Sequence, residues 1–150
     1  MSANEKVREG LGERILDWYE HSPRRFYITI APGDLKDAVR LLFKDYGFRF
    51  SIATGTDTPA SIEITYHFSC DRTGEFFSLR VHLEDKDNPE IDSISGILTG
   101  AQWIEREIYE LLGVNFKGHP DLRRLLLSDD WPQGVYPLRN TREETGKEKR

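Results

Sequence analysis

The sequence of 150 residues has a single cysteine, Cys70. A disulfide bond within the chain is therefore excluded, and this chain alone cannot hold an iron–sulfur cluster, which needs about four ligands. His67 and His82 lie nearby in sequence, but residues three apart on a strand point to opposite faces, so His67 and Cys70 form a weak metal candidate. The cysteine content is typical of a reducing, cytoplasmic compartment.

Long apolar runs are also missing. The uncharged stretch from Ser93 to Ile104 contains two glycines and is much shorter than the roughly 20 residues that span a bilayer. The N-terminus lacks the apolar core of a signal peptide. We therefore expect any membrane association to go through a partner.

The chain also has no excess of positive charge. The chain has 21 basic and 26 acidic residues and a net charge of −5. A nucleic-acid-binding domain normally shows a basic stripe, so nucleic acid is not an expected partner. No glycine-rich phosphate loop of either common pattern occurs, and nucleotide or flavin binding has no support.

Hydrophobic periodicity predicts one α+β domain. Apolar residues at helical spacing predict helices at about residues 5–20, 35–46 and 101–112, with Asp34 capping the second and Gly113 ending the third. Alternating apolar and polar residues predict four strands, at 26–30, 48–52, 62–68 and 77–83. We expect a two-layer sandwich with a mixed or antiparallel four-stranded sheet and helices on one face.

The segment after Gly113 has no periodicity but is rich in large apolar residues, among them Trp131 and Tyr136. A segment of this composition is expected to pack against a protein surface. We therefore divide the chain into an α+β domain at 1–113, an extended partner-wrapping segment at 114–139 and a polar tail at 140–150. Without its partner, the extended segment is expected to be mobile or to self-associate.

Polar residues around Gly113 allow two interpretations. His119 sits in a constrained turn, Asp121 can hold the following backbone, and Arg123 and Arg124 can bind carboxylates across an interface. Alternatively, a free-standing enzyme would use the carboxylates and the histidine as acid and base, through Glu105, Glu107 and His119. The first interpretation is favoured, since Arg106 and Glu110 form an ordinary helix-surface pair.

The run AQWIEREIYELLGVNFKGHPDLRRLL at 101–126, followed by Trp131 and Pro137-Leu138-Arg139, resembles the signature of one family. That family is the C-type subunit, also called the 30 kDa subunit, of NADH-quinone oxidoreductase, which is respiratory complex I. The resemblance covers about 40 residues.

The resemblance implies a non-catalytic peripheral-arm subunit on the cytoplasmic side of the membrane, without a cofactor of its own. Iron–sulfur clusters, and a flavin or nickel–iron centre, are expected in partner subunits. The implied partners are the D-type subunit, which is hydrogenase-large-subunit-like, and the small iron–sulfur subunit, with membrane contact only through the complex. The implied docking residues are Glu105, Arg106, Glu107, Gly118, His119, Pro120, Asp121, Arg123, Arg124, Trp131, Pro137, Leu138 and Arg139.

The sequence at the C-terminal end of the extended segment does not decide the type of complex. Many members of the family read G-H-P-L-R-K-D there, whereas this chain reads Gly134-Val135-Tyr136-Pro137-Leu138-Arg139-Asn140. Compact chains of this kind also resemble the equivalent subunits of membrane-bound energy-converting [NiFe] hydrogenases and of ferredoxin- or F420-linked relatives.

Overall fold

The computed structural model describes residues 2–123, 132 and 134–139. Within these described residues, three α-helices and seven strands follow one another, with short 3-10 turns at Gly12–Arg14 and Pro32–Asp34. Their bounds are α1 Ala3–Leu11, β1 Ile15–Ser22, β2 Arg25–Ile30, α2 Leu35–Val39, β3 Arg49–Asp57, β4 Ile62–Cys70, β5 Glu75–Leu83, β6 Glu90–Asp92, α3 Ala101–Leu112 and β7 Asn115–Lys117.

The main sheet has five strands in the order β1-β2-β5-β4-β3. Strands β3, β4 and β5 form an antiparallel meander, while β2 runs parallel to β5 with Phe26 opposite Phe77. The α+β class and the mixed sheet are thus confirmed. Because β2 joins β3 through α2, and β5 and β4 lie between them, the helix crosses one face of the sheet.

That face forms the core. Ring stacking of Phe26 and Phe48 on Phe77, at 5.3 Å for each pair of centroids, ties the strands to the segment after α2. Helices α1, α2 and α3 supply the other layer, through residues such as Val7, Leu35 and Ile108 that are nearly inaccessible to solvent. Within the described part of the chain the opposite face carries no helix, as the alternation predicted.

Helix α3 lies close against the edge strand β3. A Cβ atom on Gly55 would stand 2.5 Å from Leu112 Cδ1 and 3.3 Å from Ile108 Cγ2. Only glycine leaves room for this approach, because a methyl group there would displace a buried leucine. Glycine at this position therefore fixes the distance between the helix and the sheet edge.

The first predicted helix is wrong in its second half. The chain leaves α1 after Leu11, takes a positive φ of 53° at Gly12, and continues as strand β1 paired antiparallel with β2. Trp18 therefore lies on the sheet, where its ring meets Phe26 at 5.4 Å and Arg8 of α1 at 4.5 Å. The sheet consequently has five strands instead of the four predicted.

The second helix spans the predicted range but changes its hydrogen-bond pattern. Residues Arg40–Asp45 continue α2 as a π-helix, and Gly47 with φ of 69° ends it. Asp34 precedes the helix, but its side chain makes no capping hydrogen bond, so the capping prediction was wrong. The 3-10 turn at Pro32–Asp34 leads into α2 instead.

A small second sheet joins the two sides of the predicted boundary at Gly113. Strand β7 pairs in parallel with β6, with Phe116 opposite Ile91. Phe116 is 2% exposed and belongs to the core, and Leu122 packs against it. The first residues of the extended segment, 114–116, therefore pack into the core of this chain's own domain.

Candidate docking surface

A buried carboxylate stands at the centre of the motif region. Glu105 on α3 is 1% exposed. Its Oε1 atom accepts a hydrogen bond from the Ser93 hydroxyl at 2.6 Å, and its Oε2 atom accepts one from the Ile94 backbone N–H at 2.9 Å. Ser95 hydrogen-bonds to Ser93 in turn, at 2.7 Å between hydroxyls. Glu105 thus ties the loop after β6 to α3.

His119 lies beside this carboxylate with a fully buried side chain. Its Nδ1 atom accepts the backbone N–H of Asp121 at 2.9 Å, so its Nε2 atom carries the proton and donates to the Gln102 carbonyl at 3.0 Å. The distance from Nε2 to Glu105 Oε1 is 3.9 Å. Gly118, with φ of 83°, makes the turn that brings the imidazole back to α3.

The environment shifts the protonation of Glu105. Burial raises the pKa of this carboxyl above its ordinary value of 4.5, against the lowering effect of its hydrogen bonds from Ser93 and Ile94 and of His119. Burial, and then the Glu105 charge, also raise the pKa of Tyr66 on β4, which holds the phenol protonated. The folded state therefore favours a protonated Glu105 more than the unfolded chain does.

A pH prediction follows from this shift. A carboxyl whose pKa is raised on folding contributes most stability below its unfolded pKa, and the contribution is lost as the pH rises through the folded value. We expect the wild type to lose stability relative to Glu105→Gln as the pH rises from 4.5. Urea denaturation of both proteins between about pH 4 and pH 7 measures the difference. A difference that is flat, or that changes in favour of the wild type, would contradict the assignment.

The two arginines of the motif region that the structure describes, one on α3 and one after His119, differ in exposure. Arg106 is 8% exposed, donates from Nε to the Arg123 carbonyl at 3.1 Å, and holds its guanidinium 5.1 Å from the Trp103 ring centroid. Arg123 pairs with Asp121 at 3.0 Å and is largely exposed, so solvent screens this pair. Arg106 therefore joins α3 to the extended segment, and the Asp121–Arg123 pair lies at the surface.

The C-terminal end of the extended segment, residues 136–139, packs back against the domain. The Leu138 N–H donates to the Leu111 carbonyl at 2.9 Å. Arg139 donates to the Leu112 carbonyl at 3.1 Å and to the Lys86 carbonyl at 2.6 Å, and its Nε atom lies 3.6 Å from the buried Asp57 carboxylate. We call residues 136–139 with Asp57 and Lys86 the C-terminal clasp. It covers the end of α3, where carbonyls would otherwise lack partners.

Loss of the clasp arginine should destabilise the chain. Arg139→Ala is expected to lower the free energy of unfolding by about 2 kcal/mol, since it removes a charge facing buried Asp57 and leaves the helix carbonyl of Leu112 without its donor. Lys86, at 2.6 Å from Asp57, limits the loss. Arg123→Ala is the matched control, with an expected change within about 0.5 kcal/mol. Equal effects of the two substitutions in urea denaturation would exclude the clasp as a stabilising contact.

Two large apolar side chains of this region are exposed, one at the start of α3 and one in the clasp. Trp103 is 60% exposed on α3, and Leu138 is 52% exposed. Between α3 and the β3 edge lies a groove of about 200 Å³, lined in part by Ile52, Glu107 and Leu138. We call Trp103, Glu107, Leu138 and this groove the α3 surface. An exposed tryptophan, and an exposed leucine that lines a groove, are typical of an interface with another protein.

The structure divides the predicted docking residues into two groups. Glu105, Arg106 and the His119 ring are buried within this chain, whereas Glu107, Asp121, Arg123 and Leu138 reach the surface. Gly118, Pro120 and Pro137 are exposed backbone turns, and Arg139 belongs to the clasp. Arg124 and Trp131 lie outside the described residues. The docking role stays a prediction for all of them.

Sequence reasoning missed Trp103 and Ile52 as surface residues. Trp103 lies one position before Ile104 of the apolar face, and the helical spacing of that face already excluded it from the core. A bulge between Phe50 and Ile52 turns Ile52 to the open face of the sheet, and no local sequence signal marks it. The first residue was recoverable from periodicity and the second was not.

The free-standing enzyme hypothesis needs Glu105, Glu107 and His119 to meet in one accessible site. Glu105 and His119 are 3.9 Å apart but buried, whereas Glu107 is exposed. The weak metal candidate is also dispersed, since Cys70 is buried, His67 bonds Ser78 and His82 bonds Ser61. Among the described residues, no cluster of three or more His, Cys, Asp or Glu side chains is placed to hold a metal ion.

The helices of the described segments are all too short or too polar to cross a membrane.

Known proteins resemble this chain both in sequence and in fold. The family described as respiratory-chain NADH dehydrogenase, 30 kDa subunit, matches residues 28–148. The C-type subunit of NADH-quinone oxidoreductase from a Chelativorans species is 34% identical over 139 residues, which are 89% of this chain and 67% of the relative. The combined C/D-type subunit of Bacteroides thetaiotaomicron is 38% identical over 96 residues, covering 62% of this chain and 18% of the relative.

Two solved structures share the fold. A chain of the membrane-bound sulfane sulfur reductase, an archaeal respiratory membrane complex, superposes with a TM-score of 0.80 at 20% identity, covering 97% of this chain and 88% of that one. A trypsin-resistant fragment of Nqo5 superposes with a TM-score of 0.68 at 21% identity, covering 81% of this chain and all of the fragment. By its sequence matches, the chain belongs to the family of the 30 kDa subunit of respiratory-chain NADH dehydrogenase.

Proposed function

We propose that this chain is a non-catalytic, cofactor-free subunit of the peripheral arm of an NADH-quinone oxidoreductase of the complex I type. It docks onto the D-type subunit, the hydrogenase-large-subunit-like neighbour, and supports electron transfer to quinone by holding that neighbour in place. The observation that carries the proposal is the set of relatives in which the C-type and D-type subunits form one polypeptide.

Fusion supports a direct contact because a covalent link raises the effective concentration of two modules only where they can engage each other. The matched part of the fused Bacteroides relative aligns with 62% of this chain at 38% identity. In this proposal the chain is separate from a D-type subunit. A non-covalent surface therefore has to supply the contact that the covalent link assists in the fused relatives. The α3 surface and the exposed pair Asp121 and Arg123 suit that purpose, since they combine an aromatic anchor with charged hydrogen-bond partners.

The electron carriers belong to the partners in this proposal. The chain has one cysteine, Cys70, and it is buried. Iron–sulfur clusters and a flavin or nickel–iron centre are therefore assigned to neighbouring subunits, including the small iron–sulfur subunit. This chain contributes position: rigid α3, tied down by Glu105 and by the clasp, presents its outer side to the D-type subunit. The complex carries the chain to the cytoplasmic side of the membrane.

Affinity purification from native membranes tests the proposal. A tag on the N-terminus, ahead of α1, should bring down the large subunit and the small iron–sulfur subunit at one copy each. The purified assembly should oxidise NADH with quinone as acceptor. Recovery of the tagged chain alone from gently solubilised membranes would contradict the proposal, and stoichiometric nickel in the assembly would reassign it to an energy-converting hydrogenase.

A further inference from the structure

The open face of the main sheet carries a pocket that the proposed docking surface does not use. The cavity has a volume of about 250 Å³. Phe76, 42% exposed, forms one wall of it. The side chains around it come from strands β2 to β5, and they are Arg25, Tyr27, Ser51, His67, Phe76 and Ser78. We call these six residues the open-face pocket.

Strand register and hydrogen bonds hold the pocket in shape. Arg25 is paired with Phe76, and Tyr27 with Ser78, across the parallel β2–β5 ladder. The His67 Nδ1 atom hydrogen-bonds the Ser78 hydroxyl at 2.8 Å on the floor. Central strands of a sheet move little, so the pocket is formed before a ligand arrives.

The walls of the pocket are aromatic and cationic. The Arg25 guanidinium lies 5.5 Å from the Phe76 ring centroid, and the Arg80 guanidinium lies 5.0 Å from that of Tyr27. Glu63 neutralises Arg80 at 2.8 Å, so Arg25 is the charge that the pocket offers. Burial, and then the nearby Arg80 charge, lower the pKa of His67, which keeps the imidazole neutral.

The surroundings add positive charge at this end of the sheet. Arg24 lies in the β1–β2 turn, where its carbonyl accepts the Phe76 N–H at 2.7 Å, and Arg72 lies in the adjoining β4–β5 turn. Arg49 at the start of β3 is paired with Asp71 at 3.1 Å. Counting Arg25, four arginines lie at this end of the sheet against three carboxylates, those of Glu20, Asp71 and Glu75, although the whole chain has a net charge of −5. The local field attracts negative charge.

We propose that the open-face pocket binds an acidic segment of a neighbouring subunit, which inserts one aromatic or large aliphatic side chain beside Phe76 and sets a carboxylate on Arg25. This rests on the proposed function, since the segment comes from the same complex. A volume of about 250 Å³ lies below the usual range for small-molecule and cofactor sites, about 300–1,000 Å³, and suits a single anchoring side chain.

An acidic polypeptide fits this site better than nucleic acid does. Single-stranded nucleic acid needs a basic groove with successive stacking platforms, whereas this site is a single pocket with Arg25 as its charge. A carboxylate can take a bidentate pair of hydrogen bonds from Arg25, and the exposed Phe76 ring packs against the inserted side chain. Tyr19, 53% exposed on β1, extends the same face for further contact.

Photo-cross-linking in the assembled complex tests the inference. A benzoyl-phenylalanine probe in place of Phe76 should cross-link to a polypeptide segment with net negative charge, identified by mass spectrometry. A second probe in place of exposed Ser51, across the pocket, should reach the same segment. Adding Arg25→Glu should lower the yield about tenfold. Arg40→Glu, an equally drastic change on the helical side of the domain, should leave it unchanged.

Each other outcome has a definite meaning. If the large subunit co-purifies in full but neither probe cross-links to protein, the open-face inference is overturned and the proposed function stands. If no other polypeptide of the complex co-purifies, both fail. Cross-links to nucleic acid or lipid, or a yield that Arg25→Glu leaves unchanged, would overturn the acidic-segment assignment.

Discussion

Replacing Glu105 with alanine is expected to lower the free energy of unfolding by about 3 kcal/mol. The substitution leaves the Ile94 N–H and the Ser93 hydroxyl without their acceptor, since Glu105 receives both at 2.9 Å and 2.6 Å. It also opens a cavity next to the buried His119 ring. A buried donor without a partner costs about 1–3 kcal/mol, and a lost buried side chain adds a packing term. Urea denaturation measures the change.

Two further variants separate this effect from general sensitivity of α3. Glu105→Gln keeps the shape and one acceptor, and should cost only about 1 kcal/mol at neutral pH. Glu107→Ala, at an exposed position two residues further along the helix, should change stability by less than about 0.5 kcal/mol. Comparable losses for Glu105→Ala and Glu107→Ala would mean that the hydrogen bonds of Glu105 do not stabilise the fold.

Replacing Trp103 with aspartate is expected to reduce incorporation into the complex by about 30-fold. Tryptophan is among the residues whose loss at an interface costs about 2 kcal/mol or more, which corresponds to that factor. Trp103 is 60% exposed and stacked on Arg106, so its loss should leave the isolated fold intact. The measurement is competition: variant and wild type are expressed together with different tags, and their ratio in the purified complex is determined.

Leu16 provides the matched control for Trp103. It is 65% exposed on β1, the edge of the sheet opposite to β3 and α3. Leu16→Asp places the same charge on an equally exposed apolar position and should leave the competition ratio near one. A Trp103→Asp chain that competes as well as wild type would remove the α3 surface from the docking account.

The central strands were predictable because burial imposes their pattern. On β4, Ile64 and Phe68 point to the core while Glu63 and His67 point to the open face, and this alternation is legible in the sequence. The short turn Asp71–Gly74 then indicates an antiparallel neighbour. The parallel pairing of β2 with β5 has no such local signal, because it depends on how α2 crosses the sheet.

Strand β1 was mistaken for helix because an edge strand has little burial to mark it. Only Ile15, Trp18 and Ser22 are even partly buried there, so no period of two appears. Ile15 and Trp18 continue the helical spacing of Val7 and Leu11 by coincidence. Gly12 gave the physical reason for a break, but a glycine alone does not say whether a strand follows.

The motif region contains both buried and exposed side chains, and spacing alone does not separate them. Glu105 and Glu107 look alike in sequence and both lie on α3, yet Glu105 is 1% exposed and bonded to the loop after β6, whereas Glu107 is at the surface. What distinguishes them is the position of Ser93 and Ile94, which tertiary folding brings to α3. Contacts between segments so far apart in sequence are not encoded in local periodicity.

Amide hydrogen exchange of the free chain and of the purified complex tests the docking claim most directly. In the free chain, the Leu138 N–H is held by one bond to the Leu111 carbonyl beside an exposed side chain, so local opening of the clasp should let it exchange faster than the core amides. In the complex, amides at 134–139 should exchange at least about tenfold more slowly, while core amides such as Ile64 and Leu79 stay the same. Unchanged exchange at 134–139 in a complex containing a full complement of the large subunit would contradict the account.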